Sequence, residues 1–150
     1  MALAVGNEKS ERKDFALIRM ISKDKAMTSP LAVICYEKLL PGSQMVNRLQ
    51  DLGYRVVSVN DAGELASVVR EQKPMVVVAD LESKGSNVSA TISSLRKDPE
   101  TTHIPILAFA RSDDEDLQMS ARAAGARLVA VEEAILDQLP MLLDRVLEVS

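Results

Sequence analysis

The side chains able to do chemistry in this 150-residue chain are few in kind. There is one cysteine, Cys35, and one histidine, His103, which excludes an internal disulfide and a Cys/His zinc cage. A nucleophilic triad would have to be built around His103 or do without histidine. Asp and Glu together number 22, so carboxylates are the main chemical resource. Their common uses are metal coordination, proton transfer and nucleophilic acceptance of a transferred group. Among them Asp80 stands out by position. It closes the apolar run Met75-Val-Val-Val-Ala79, so a charge sits where a buried strand emerges. A strand-end Asp can also do no more than cap the following turn.

Positioning such a carboxylate takes a scaffold, and the hydropathy pattern predicts one. Leu31–Cys35, Arg55–Val59, Met75–Ala79, Ile104–Phe109 and Arg127–Val131 read as strands. Most are apolar at successive positions, which marks strands covered on both faces; the Arg55 run alternates more and belongs at an edge. Between them lie helical stripes. Met45, Leu49 and Leu52 form one, closed by Gly53, and Leu65, Val68 and Val69 form a second, opened by Asp61. Val88, Ile92 and Leu95 make the third. Ser112-Asp-Asp-Glu115 reads as a capping box leading into Leu117, Ala121 and Ala124. Leu139, Leu142, Leu143 and Val146 make the last stripe, with Asp137 as N-cap so that Pro140 falls in the first turn. Met75 and Met141 read as core.

Five strands alternating with five helices predict an α/β fold, an open parallel sheet with helices on both faces. Ligands in such sheets bind beyond the carboxyl ends of the strands. The candidate positions are therefore Cys35 to Glu37, Asn60-Asp61, Asp80, Ala110-Arg111 and Glu132-Glu133.

Composition narrows the partners. Hydrophobic residues at 47% and charged ones at 27% are ordinary globular values. A net charge of −4 and only 3% aromatics, without Trp, argue against nucleic acid and acidic membrane surfaces. No apolar run approaches the roughly 18 residues of a membrane span. With no secretory signal and a single Cys, a cytoplasmic location is expected. Residues 1–29 read as a leader, either poorly ordered or a short amphipathic helix through Phe15, Ile18 and Ile21, with the domain occupying 30–150.

Three segments then carry a family resemblance. Lys73-Pro74-Met-Val-Val-Val-Ala-Asp80-Leu81 resembles the third strand of response-regulator receiver domains, whose last Asp accepts a phosphoryl group. Leu95-Arg-Lys-Asp98-Pro99-Glu-Thr-Thr-His103-Ile104-Pro105-Ile106 is similar to that family's connection from third helix to fourth strand. Ala123-Ala-Gly125-Ala126 is similar to its turn into the fifth strand. The pattern runs without a gap from Gly53 to Glu132. It implies a flavodoxin-like three-layer sandwich with five strands in the order 2-1-3-4-5, and Asp80 as phosphoacceptor.

The resemblance also implies what the phosphoryl chemistry needs, and much of it is missing. The acidic pair after the first strand falls on Cys35-Tyr36, or on Tyr36-Glu37 in the adjacent register. The hydroxyl position is Ala110, the lysine position is Glu132, and Val129 stands where the family carries an aromatic switch residue. Like charges at about 5 Å repel by roughly 3 kcal/mol at an effective dielectric constant of about 20, and loss of the attraction adds a similar amount. Lys84 or Arg111 could restore a positive charge from neighbouring loops. The expectation is thus a degenerate, pseudo-receiver module that is not an enzyme, binds no cofactor and acts through protein partners, a sensor kinase or an output protein. The resemblance places the partner or homodimer face on the fourth helix to fifth helix, with Asp113, Asp116, Arg122 and Arg127 exposed on it. The alternative is a working phosphoacceptor in which Glu37 and Asp80 hold Mg²⁺. A remote third reading makes Cys35 a thiol nucleophile or phosphocarrier, against which Tyr36-Glu37-Lys38-Leu39-Leu40-Pro41 lacks the small residues of a phosphate-cradling loop.

Overall fold

A computed structural model describes residues 29–82 and 87–148. Strands and helices alternate: β1 (Leu31–Cys35), α1 (Leu39–Asp51), β2 (Arg55–Val59), α2 (Ala62–Gln72), β3 (Val76–Asp80), α3 (Val88–Lys97), β4 (Ile106–Ala110), α4 (Glu115–Ala124), β5 (Leu128–Val131) and α5 (Glu132–Val146). Lys84 and the leader, apart from Ser29, lie outside the described residues.

The strands form one parallel sheet in the order β2-β1-β3-β4-β5, as the resemblance implied. Register aligns their ends. Cys35 is level with Val59 on one side and Ala79 on the other, Asp80 with Phe109, and Ala110 with Val131. The loops that follow therefore gather along one edge. Because the sheet is covered on both faces, alternate residues of each strand enter different cores. Val33, Cys35, Val77, Ala79, Ala108 and Ala110 pack with Leu65, Ile92 and Ala121 beneath α2, α3 and α4. Ala32, Ile34, Val76, Val78, Leu107 and Phe109 pack with Met45, Leu49, Ile135 and Leu139 beneath α1 and α5. Each fully buried Leu, Ile or Phe contributes on the order of 2 kcal/mol. β2 is an edge strand as expected, with Arg55 and Ser58 exposed.

Four local expectations are corrected. β4 begins at Ile106 rather than Ile104, since Pro105 has no N–H to give a ladder, although its carbonyl accepts from Val77 N at 3.0 Å. The N-cap of α4 is Asp114, which accepts from Leu117 N at 3.2 Å; Ser112 is engaged elsewhere. α5 starts at Glu132, not near Asp137, and so carries Pro140 in its interior. The missing hydrogen bond costs about 3 kcal/mol, but the longer helix buries both Ile135 and Leu139 fully, which offsets it. Met75 and Met141 are half-exposed, at 51% and 46%, rather than core. Among the described residues no helix is long and apolar enough to cross a membrane.

Candidate functional site

Asp80 is the last residue of β3 and only 2% exposed. Its pleat parity is that of Val76 and Val78, which puts it on the α1–α5 side of the sheet end. Oδ1 accepts from the backbone N–H of Glu82 at 2.9 Å, closing the turn out of the strand. Oδ2 stands 4.0 Å from the ammonium of Lys38. Burial raises the Asp80 carboxyl above its ordinary range. The Glu82 N–H and Lys38 pull it down, the Glu132 and Glu82 carboxylates push it up, and the net direction is upward.

Lys38 occupies the N-cap position of α1, where it makes no side-chain cap to the helix. Its ammonium instead leans over the strand ends. It donates to Glu132 Oε1 at 2.9 Å and lies 3.9 Å from Glu82 Oε1. Partial burial would lower its pKa. The hydrogen bond to Glu132 and the charges of Asp80, Glu132 and Glu82 together outweigh that and hold it above the ordinary lysine value. A positive charge is thus present at the site, but it comes from the loop after β1. The position after β5, where the resemblance implies a lysine, carries its carboxylate partner.

The other strand-end loops are tied to this cluster through backbone donors. Glu82 Oε2 accepts from Arg111 N at 2.6 Å. Glu133 accepts from Ser112 N at 3.1 Å and from its hydroxyl at 2.9 Å. Gln118 of α4 donates to the Arg111 carbonyl at 2.9 Å. Carboxylates from the turn after β3 and the first turn of α5 therefore hold the β4–α4 loop from both sides. The Arg111 guanidinium pairs with Asp113 at 2.7 Å, while its charge also interacts more weakly with Glu82 and Glu132.

The remaining candidates are dispersed. Cys35 is buried, and its thiol is pushed up to about 12, first by burial and then by the charges of Asp80, Glu37 and Asp61. That leaves almost no thiolate at neutral pH, which a nucleophile or carrier would need. Tyr36 is half-buried, with its ring against Gly42 of α1, where a Cβ would collide with it. Glu37 is exposed on the rim of a cleft of about 300 Å³, with Ser58, Asn60 and Glu64 on the β2 side. Ala110 is fully buried, and Val129 packs half-buried against the α2–α4 core. Asp113, Asp116, Arg122 and Arg127 are exposed, as expected for an outward face. Arg127 also caps α5, donating to the carbonyls of Val146 and Glu148 at 2.9 and 3.0 Å.

The donor set does not suit Mg²⁺, which asks for several oxygens in near-octahedral array. One oxygen of Asp80 is taken by a backbone N–H, the other faces an ammonium, and Glu37 is turned to the β2 side. Among the described residues no three His, Cys, Asp or Glu side chains gather in a way that would hold a metal ion.

Solved structures share this architecture over about four fifths of the chain. A Chloroflexus aurantiacus protein assigned as a response regulator superposes with a TM-score of 0.75, at 18% identity, over 80% of this chain and 98% of its own. The fold is the receiver fold. The chemotaxis response regulator CheY4 of Vibrio cholerae matches with a TM-score of 0.71 at 19% identity, over 79% of this chain and 99% of its own. The receiver domain of the Pseudomonas aeruginosa sensor histidine kinase PA1611, whose active-site cleft coordinates a magnesium ion, matches with a TM-score of 0.73 at 16% identity, over 80% of this chain and 98% of its own. In sequence, the chain is 30% identical over 79 residues to Protein PilH of Pseudomonas aeruginosa. That match takes in 53% of this chain and 65% of PilH. No family model matches the chain.

Lys38 and Glu82 are the site residues that motif reading passed over, whereas Glu133 was among the strand-end candidates. Motif reading asks what occupies each receiver position, and Lys38 stands at none of the positions compared. A count of charge over the strand-end loops would have found it. Glu37, Asp61, Asp80, Glu82, Asp113, Asp114, Glu132 and Glu133 are opposed there, among the described residues, only by Lys38 and Arg111.

Proposed function

We propose that the chain is a receiver-like signal-transduction module that works by protein–protein contact, without phosphorylation of Asp80. The observation that carries this reading is that Glu132, at the position where the resemblance implies a phosphoryl-binding lysine, is a carboxylate that already holds the ammonium of Lys38 at 2.9 Å. A phosphoryl group on Asp80 would add negative charge beside Glu82 and Glu132, and the methyl of Ala110 has no hydrogen bond to offer it. Receiver-type signalling suggests a sensor kinase or an output protein as partner. The outward side of α4, β5 and α5 is the proposed contact or homodimer face. The acidic balance and the scarcity of aromatics argue against nucleic acid. No metal or other cofactor is required in this reading, and the location is the cytoplasm.

The test is incubation of the full chain with acetyl phosphate, with and without Mg²⁺, read by intact mass. No phosphoryl adduct is expected under saturating donor. An adduct that forms with Mg²⁺ and disappears in Asp80→Asn would overturn the reading.

A further inference from the structure

We propose that Lys38 is the resident cation of this site and the positioning residue that sets the β4–α4 loop. This rests on the phosphorylation-independent reading above and names what holds the site in place of metal and phosphate.

The geometry gives three independent reasons. First, three carboxylates from two separate stretches of chain, the end of β3 and the start of α5, converge on one nitrogen: Glu132 at 2.9 Å, Glu82 at 3.9 Å and Asp80 at 4.0 Å. Acidic groups placed that close repel one another unless a cation lies among them, and the chain supplies its own. Second, Lys38 has no competing duty. Its side chain makes no cap to α1, and its ammonium contacts these carboxylates. Third, the influence has a physical route outward. Glu82 faces Lys38 with Oε1 and takes the Arg111 N–H on Oε2 at 2.6 Å, and the Arg111 carbonyl is held by Gln118 of α4. Removing the ammonium leaves Glu82 repelled by Asp80 and Glu132, and that repulsion acts on the Arg111 amide. Charge is also exchanged relative to the arrangement the resemblance implied. The base now follows the first strand and the acid follows the fifth, so the attraction survives with its ends reversed.

Hydrogen exchange read by mass spectrometry on the full chain tests this at the Arg111 and Ser112 amides. Lys38→Met should speed their exchange several-fold, Lys38→Arg should keep it near the wild-type rate, and amides of α2 should not change. Lys38→Glu and Glu132→Lys should each speed exchange, and the two combined should slow it again. That combination decides the matter if Lys38→Met fails to fold. Unchanged exchange at Arg111 and Ser112 in Lys38→Met, or no recovery in the double variant, would overturn the proposal. Failure is separable from that of the functional reading. A phosphoryl adduct on Asp80 together with Lys38-dependent exchange defeats the reading and keeps the role of Lys38, whereas no adduct with Lys38-independent exchange does the reverse.

Discussion

Lys38 and Glu132 meet at 2.9 Å although 94 positions separate them in the chain. The first belongs to the loop after β1 and the second opens α5 directly after β5, so two intervening strands, β3 and β4, lie beneath the pair. Asp80, at the end of β3, is underneath it. The pair therefore does two things at once. It neutralises part of an acidic strand-end row, and it spans the place where a transferring group would have to enter.

The buried acid should cost stability at neutral pH. Burial raises the Asp80 carboxyl in the fold, so the folded protein binds this proton more tightly than the unfolded chain does. Its stabilising contribution is then present below the ordinary carboxylate range and is lost as pH rises through the raised value. Asp80→Asn, whose amide oxygen can still accept from Glu82 N, should be more stable than wild type near neutral pH. The difference should vanish below about pH 3.5. Urea unfolding at the two pH values measures it, and a less stable variant at neutral pH would contradict the electrostatic account.

Cys35 should be inert in the folded protein. It is 2% exposed and its thiol is pushed up to about 12, chiefly by burial. Iodoacetamide at about pH 8 should leave the native chain unmodified and alkylate it once in denaturant. Rapid native labelling would mean that the end of β1 opens readily.

Pro140 offers a stabilising substitution. It sits inside α5 without an N–H to give, while its neighbours Leu139 and Leu142 hold the helix to the core. Pro140→Ala restores the backbone donor and should raise stability by about 1–3 kcal/mol. A thermal melt that is unchanged or lower would show that the α5–sheet packing depends on the proline.

Much of the scaffold was legible because its signals are local. Leu31–Cys35 and Arg55–Val59 are observed with the bounds read from hydropathy, and the side chain of Asp61 caps α2 by accepting from Gly63 N at 2.9 Å. Where local signals competed, the tertiary one won. Asp114 rather than Ser112 caps α4 because Glu133 captures the Ser112 amide and hydroxyl, and no window of sequence around Ser112 contains Glu133. α5 runs through Pro140 because burial of Ile135 and Leu139 together offsets the proline's cost, a tertiary gain that local sequence does not display. The same gap explains the site. Asp80, Ala110 and Glu132 are legible one strand end at a time, whereas the role of Lys38 exists only once β1 and β5 lie in the same sheet.

That dependence has a kinetic side. A contact between the loops after β1 and β5 spans β3 and β4, and the loop-closure cost of so long a sequence separation predicts that it forms late. An interaction absent from the folding transition state leaves the folding rate alone and acts on the unfolding rate. The Lys38–Glu132 pair is thus expected to act as a late fastener: its loss should leave the folding rate unchanged and speed unfolding, which stopped-flow kinetics in denaturant would measure.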